Sequence, residues 1–131
     1  QKADDNDNLF SSDCNYLNFA QGDGGIFSTL EDLLKWDRAL YENKLVSKAT
    51  LEEAFTPGTL KNGTSTNYGF GWFIEESDDG KKTVSHSGGW VGFSAHIRRE
   101  IDENNCIILL TNNNSSHFKE ILHGLTKMLH E

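Results

Sequence analysis

The 131-residue sequence has few cysteines, few basic residues and no long apolar run. Cys14 and Cys106 are too few for a disulfide framework, and Cys106, in an apolar run, is predicted to be a buried thiol. The 12 Lys and Arg against 20 Asp and Glu give a formal net charge of −8. This charge argues against nucleic acid and anionic membrane surfaces as partners. No run approaches the roughly 18 apolar residues of a membrane span.

The amino terminus gives no sign of a targeting segment. No signal peptide opens the chain, an initiator methionine is lacking, and residues 1–8 are polar and acidic. We therefore expect that the chain starts inside a longer one. Residues 1–21 are predicted to form an irregular segment, and neither an internal repeat nor a low-complexity linker follows it.

Two helices are predicted in the first half of the chain. Ser28 and Glu31 fit a capping box at the start of the first helix, with Ser28 as the N-cap. Leucine and aromatic residues then recur at helical spacing up to Glu42. A second, short helix is predicted over residues 47–55, because Pro57-Gly58 ends the pattern.

Four strands are predicted in the second half. Aromatic and apolar residues alternate with glycine and polar residues over 68–75, and Asp79-Gly80 is a hairpin turn signal. Two more strands are predicted over 82–87 and 93–101. The continuous apolar run 106–110 is typical of a central strand that is covered on both faces.

An amphipathic helix is predicted over residues 118–129, with an apolar stripe that should pack across the sheet. The element order is then two helices, four consecutive strands and a helix. Because the connections between strands are short, the strands should pair as an antiparallel meander. We therefore predict an α+β fold in which helices pack on a four-stranded antiparallel meander.

The best candidate for part of an active site is His86-Ser87-Gly88-Gly89, at the end of one predicted strand and before the next. A strand edge offers backbone N–H groups to a substrate carbonyl, and glycines let the substrate approach closely. His86 offers a positive or hydrogen-bonding group, and Ser87 can donate to an anionic substrate group. Such a segment can form one wall of an active site, but catalysis also needs a nucleophile and a base.

Together with its neighbours, this segment resembles the C-terminal part of the serine β-lactamase-like hydrolases. These include class C β-lactamases, D-alanyl-D-alanine carboxypeptidases, D-amino-acid peptidases and esterases. The segments that carry the resemblance are, in order, Gly22-Asp23-Gly24-Gly25-Ile26-Phe27-Ser28-Thr29, Tyr68-Gly69-Phe70-Gly71-Trp72, His86-Ser87-Gly88-Gly89, Gly92-Phe93-Ser94 and Leu110-Thr111-Asn112. The resemblance assigns residues 22–131 to the C-terminal portion of such a domain and implies a partial β-lactamase/transpeptidase-like fold.

The resemblance implies roles for five residues. His86, Ser87 and Gly88 match the family's third motif, Lys/His-Ser/Thr-Gly, on a strand that lines the site. Gly89 would provide one of the two oxyanion-hole donors through its backbone N–H. Trp90 would either wall the substrate cleft or cover an exposed edge. The implied partner is a small peptide, β-lactam or ester substrate. Neither a cofactor nor a metal ion is implied, and the implied location is extracytoplasmic (periplasmic or secreted).

The family's other two motifs lack a match in the right place. Ser-x-x-Lys, which provides nucleophile and base, matches only Ser116-His117-Phe118-Lys119, downstream of the third motif. Ser116 is better explained as a helix N-cap. Tyr16-Leu17-Asn18 matches the second motif, Tyr-x-Asn, but lies just before the glycine-rich segment that begins at Gly22, where the family does not place that motif. The remaining histidines do not have zinc-site spacing.

Two hypotheses are consistent with these observations. In the first, the chain is a fragment of a serine hydrolase that forms an acyl-enzyme on an amide or ester, and is inactive alone. In the alternative, it is a non-catalytic binding or interaction module that kept the fold. A fragment should expose apolar surface that the rest of the protein would cover, so self-association is expected.

Overall fold

The structure, a computed structural model, describes residues 2–3, 9–10, 24–90, 92–113 and 117–131. The chain forms two compact units. The first contains Gln1–Ser28, Ser87–His96 and Leu109–Glu131, and the second contains Thr29–His86 and Ile97–Ile108. The chain passes from one unit to the other between His86 and Ser87.

The described elements follow the predicted order from the first helix onward, after two short strands within residues 1–21, a segment predicted to be irregular. They are β1 (Lys2–Ala3), β2 (Leu9–Phe10), α1 (Leu30–Tyr41), α2 (Lys48–Ala54), β3 (Phe73–Glu76), β4 (Lys82–Trp90), β5 (Phe93–Glu100), β6 (Asn105–Thr111) and α3 (Phe118–Leu129). β1 and β2 form a short antiparallel ladder, and β3 to β6 form a four-stranded sheet in chain order. The predicted α+β fold with an antiparallel meander is confirmed. In the part of the chain that the structure describes, no helix has the length and apolar character needed to cross a membrane.

The first helix begins one residue later than its capping pattern predicted. Thr29, not Ser28, is the N-cap of α1, and its side chain accepts a hydrogen bond from the backbone N–H of Asp32 at 3.2 Å. Ser and Thr are both good N-caps, so the sequence pattern alone could not choose between adjacent hydroxyls. The second helix is confirmed, with Ser47 as the N-cap of α2 and Phe55 at its C-terminal end.

The strand predicted over residues 68–75 is mostly wrong. Only β3 is a strand, and Tyr68 contributes a single bridge to Phe73. Gly71 has a φ of +77°, and the N–H of Gly69 donates to the Trp72 carbonyl at 2.8 Å, so the chain turns back on itself here. The positive φ explains the glycine, because other residues rarely adopt it.

The remaining strands agree with prediction in number but differ in extent and place. β4 continues to Trp90, three residues beyond its predicted end, so Gly88 and Gly89 lie within the strand. The hairpin at Gly80 is confirmed by antiparallel pairing of β3 with β4, from Phe73 opposite Ser85 to Glu76 opposite Lys82. β6 is the last strand in the sheet order, so its prediction as a central strand is wrong for the described chain.

The terminal helix α3 is confirmed, but its N-cap is His117 rather than Ser116, which lies outside the described residues. No residue of α3 is buried, and Ile121 and Met128 are 49% and 72% exposed. The apolar stripe is therefore only partly covered, whereas the sequence pattern predicted that it would pack across the sheet.

The second unit has a small apolar core. Phe55, Ile74 and Val84 are buried, and the partly buried residues packed against them are Leu51, Ala54, Trp72 and Ile101. Val84, the third residue of β4, is fully buried, and this fixes which face of the strand points inward.

A buried ion pair lies in the same unit. Arg99 and Asp37 are 1% and 3% exposed, and the Arg99 Nε donates to Asp37 Oδ1. The guanidinium carbon lies 4.8 Å from the centroid of the Tyr41 ring, close enough for a cation–π contact. Arg99 Nη1 and Tyr41 Oη are buried and lack a hydrogen-bond partner among the described residues. The pair ties α1 to β5 within this unit.

Cys106 lies near this ion pair and is half-buried. Burial raises the pKa of its thiol to about 12, and the charge of Asp37 acts in the same direction. An unfolded cysteine has a pKa of about 8.5, so between these values the unfolded chain binds fewer protons than the folded one. The free energy of unfolding should therefore fall as the pH rises through this window.

In Cys106→Ala, the free energy of unfolding should fall less steeply with pH than in the wild type. The difference in slope should correspond to less than one bound proton, whatever the effect of the substitution on absolute stability. Urea unfolding of both proteins at several pH values from 8 to 11 measures the two slopes. Equal slopes for the two proteins would mean that the thiol titrates alike in the folded and unfolded chains.

Candidate active site

His86 lies on β4, two residues after Val84 and one residue beyond the last pairing of β3 with this strand. Its ring is half-buried. Its Nε2 atom lies 3.0 Å from the hydroxyl of Tyr68, and the ring of Phe73 stacks on it with the centroids 5.7 Å apart. The Tyr68 ring also meets it edge-on, with the centroids 6.1 Å apart, so the second unit holds this imidazole by one hydrogen bond and two aromatic contacts.

Ser87, the next residue, belongs to the first unit and is exposed. Its Oγ lies 2.8 Å from Nδ1 of His96 on β5. A hydroxyl at this distance from an imidazole nitrogen is in hydrogen-bond contact, with donor and acceptor roles set by the tautomer of the ring. His96, which has no zinc-site spacing in the sequence, is thus the partner of the middle residue of the motif.

Gly88 and Gly89 form an open stretch of strand. Both are exposed. A Cβ at Gly88 would be in ordinary contact with Ala95, at 3.7 Å, and one at Gly89 would have no neighbour within 4 Å among the described residues. Packing within the described chain therefore does not require glycine at either position. Free space over a strand is what a ligand needs to approach its backbone.

A cleft of about 670 Å³ lies along this open stretch, within the first unit. Its lining consists of Gly24–Ser28, Gly88–Trp90, Phe93–Ala95 and Leu110–Asn112. Trp90 is half-buried, and a Cβ at Gly24 would lie 3.6 Å from its ring. Ile26 and Phe27 are 85% and 86% exposed, so one side of the cleft presents apolar side chains to solvent. Its size and mostly apolar lining are typical of a small-molecule site.

Neither hydrogen-bond partner of the motif was predicted from the sequence. β4 ends at Trp90 and β5 begins at Phe93, so Ser87 and His96, each three residues from those ends, stand opposite each other. A longer β4 in the prediction would have revealed this pair. Tyr68 and His86 are 18 residues apart in the sequence, with a turn between them. No sequence spacing predicts their contact.

Three earlier observations cannot be placed in the site. Ser116, the Tyr16-Leu17-Asn18 match and Cys14 all lie outside the described residues. The structure therefore leaves the two motif matches and this cysteine as observations on the sequence.

Comparison with known proteins identifies the family. The Beta-lactamase family model matches residues 2–127, nearly the whole chain. The chain belongs to the Beta-lactamase family. Over 97 residues, or 74% of this chain, it is 45% identical to penicillin-binding protein 4* of Bacillus subtilis (strain 168), covering 22% of that protein. Over 91 residues, or 70% of the chain, it is 28% identical to D-aminopeptidases of Brucella ovis and Brucella abortus, covering 17% of each.

Membership in the Beta-lactamase family confirms the resemblance from the ordered sequence segments and makes the chain hydrolase-like and penicillin-binding-protein-like. The chain spans less than a quarter of the length of these relatives. No solved structure matches it significantly.

Proposed function

We propose that this chain contributes one wall of the active site of a serine hydrolase that forms an acyl-enzyme on an amide or ester bond. In this proposal His86, Ser87 and Gly88 are the third motif, and the backbone N–H of Gly89 is one donor of the oxyanion hole. The observation that carries the proposal is the open strand at Gly88 and Gly89, which lines a cleft and has room for a ligand.

Such a wall contributes to catalysis through the charge that develops on the substrate oxygen. When a serine hydroxyl adds to the carbonyl carbon, the oxygen becomes anionic and is stabilised by N–H groups already pointing at it. Loss of one such donor typically lowers the rate by about a hundred- to a thousand-fold. Trp90 lines the same cleft and would contact the substrate beside the scissile bond.

The nucleophile and its base would come from residues outside this sequence. The only Ser-x-x-Lys match lies downstream of His86, and the chain covers 22% of penicillin-binding protein 4*. We therefore propose that residues 22–131 act as the C-terminal portion of a larger hydrolase domain and are inactive alone. Residues 1–21 would be a separate segment before this portion.

The relatives suggest a substrate class. One is named as a penicillin-binding protein and the others as D-aminopeptidases. We propose a β-lactam, or a small peptide with a D-residue at the scissile bond, as the substrate, and an extracytoplasmic location where such peptides occur. A non-catalytic module that binds the same ligands in the cleft is the alternative.

Intact-mass spectrometry after incubation with a fluorophosphonate, and separately with a penicillin, tests the proposal. The 131-residue chain should form no adduct, whereas a longer protein with an upstream Ser-x-x-Lys should gain one adduct on that serine. Matched Ser87→Ala and Ser116→Ala variants of the short chain serve as controls. A stoichiometric adduct on the short chain that either variant abolishes would overturn the proposal, because the nucleophile would then lie within it.

We also propose that the short chain self-associates. Large apolar side chains are exposed in the first unit, among them Ile26, Phe27 and Met128. Exposed apolar surface of this kind usually finds a partner. Sedimentation velocity at increasing concentration should show a rising average mass, and a clean monomer throughout would contradict the expectation.

A further inference from the structure

We propose that Tyr68 is the positioning residue for His86, and that its hydrogen bond holds the neutral imidazole in the tautomer with the proton on Nδ1. The inference deepens the proposed function and rests on it for its relevance to catalysis. The hydrogen bond itself, between two side chains of the second unit, can be tested without any activity.

The tautomer follows from the strengths of the two groups. The Tyr68 hydroxyl lies 3.0 Å from Nε2 of His86, which is a normal hydrogen-bond distance. A phenol O–H is a better donor than a neutral imidazole N–H, and an unprotonated ring nitrogen is a better acceptor than a phenol oxygen. Tyr68 therefore donates to Nε2, and the ring proton lies on Nδ1, because the hydrogen bond at one ring nitrogen sets the state of the other.

Aromatic contacts fix the orientation of the ring as well. Phe73 stacks on His86 at an interplanar angle of 27°, and the Tyr68 ring meets Phe73 edge-on with the centroids 4.9 Å apart. Each ring therefore limits the rotation of the others. Contacts of this geometry are favourable for aromatic pairs.

The backbone is held in place at the carbonyl of Tyr68 and at the residue that follows. Its carbonyl accepts from the N–H of Gly58 at 2.9 Å and from the hydroxyl of Thr66 at 3.0 Å. The next residue, Gly69, packs so closely against the carbonyl of Ala54 that there is no room for a Cβ. A side chain on such a fixed backbone can orient its neighbour, whereas one on a loose loop could not.

A consequence for recognition follows from this tautomer. With the proton on Nδ1, neutral His86 presents an N–H donor at the nitrogen that Tyr68 does not contact. A group that contacts Nδ1 of neutral His86 must therefore accept a hydrogen bond, as a carbonyl or carboxylate oxygen does.

The experiment is long-range ¹H–¹⁵N NMR of the ¹⁵N-histidine-labelled 131-residue chain, at alkaline pH where imidazoles are neutral. In the wild type, the His86 shifts should show Nδ1 protonated and Nε2 unprotonated as the major form. Tyr68→Phe should move both ¹⁵N shifts toward averaged values, because an unrestrained neutral imidazole samples both tautomers. Tyr41→Phe is the matched control, since it removes another partly buried phenol of the same unit and should leave the shifts unchanged.

Amide spectra of both variants show whether the fold is retained, and Phe73→Leu adds a variant that keeps the phenol. In Phe73→Leu the Nδ1–H tautomer should persist. A protonated Nε2 in the wild type, or identical His86 shifts in wild type and folded Tyr68→Phe, would overturn the inference. Failure of the acylation test would leave this result standing, so the two proposals fail separately.

Discussion

Asp37→Ala is expected to lower the free energy of unfolding by about 3–5 kcal/mol, the typical effect of removing one partner of a buried ion pair. Asp37 and Arg99 are both almost completely buried. In the variant, the Arg99 guanidinium would keep its charge, since arginine does not lose its proton in proteins. Nη1 of Arg99 already lacks a hydrogen-bond partner among the described residues. Without the Asp37 carboxylate, Nε of the same guanidinium would also lose its partner.

Urea unfolding followed by tryptophan fluorescence measures this effect, since Trp36 and Trp72 stack in the same unit, with their centroids 6.0 Å apart. The matched control is Asp32→Ala, which breaks an exposed pair with Lys35 on the same helix. Exposed pairs contribute little, so the control should change stability far less. Similar losses for the two variants would mean that burial of the Asp37 pair has no energetic consequence.

The double variant Asp37→Ala with Arg99→Met separates the loss of the pair from the unpaired charge. Replacing both charged partners by uncharged groups removes the uncompensated cation. The double variant should therefore be more stable than Asp37→Ala alone. If it is less stable, the aromatic contacts of Arg99 with Tyr41, Phe55 and Trp72 contribute more than its charge costs.

Elements with a strong local signal were predictable from the sequence. α2 matches in both periodicity and N-cap, and α3 matches in its periodicity, because these signals act within a few residues. The strand predicted over residues 68–75 failed because its alternation of aromatic residues and glycine is also compatible with a turn. The N–H of Phe70 donates to the Ala54 carbonyl at 3.0 Å, a contact with another element that no periodicity contains.

The candidate site shows the same division. His86 to Trp90 could be located from the sequence because the motif is contiguous and its neighbours come in a recognisable order. The partner of Ser87 depends on how β4 and β5 pair, and a β4 predicted to end at Ser87 concealed it. The partner of His86 depends on the turn at Gly71, where the strand prediction failed. One error in local structure therefore hid the proposed positioning residue.

Gly69→Ala should be strongly destabilising. A Cβ at this position would lie 2.1 Å from the Ala54 carbonyl oxygen and 2.9 Å from Cδ1 of Ile74. The first neighbour is backbone and cannot move aside by changing rotamer. The segment must shift away from α2, and we expect a loss of about 3 kcal/mol or more, in the range of severe overpacking.

The same substitution at Gly124 should stabilise the protein instead. Gly124 lies within α3, and a Cβ there would have no neighbour within 4 Å among the described residues. Alanine is a better helix former than glycine, so Gly124→Ala should increase the free energy of unfolding by about 0.5–1 kcal/mol. Urea unfolding of the wild type and the two variants measures the loss of stability in Gly69→Ala and the gain in Gly124→Ala.

The effect at Gly69 should reach His86, because Tyr68 directly precedes the displaced residue. In a Gly69→Ala chain that still folds, the His86 ¹⁵N shifts should move toward those of Tyr68→Phe, while those of Gly124→Ala should match the wild type. A Gly69→Ala chain with wild-type stability would show that the segment can move away from α2 at little cost. If the His86 shifts then also stayed unchanged, the close approach to Ala54 would not be what places Tyr68.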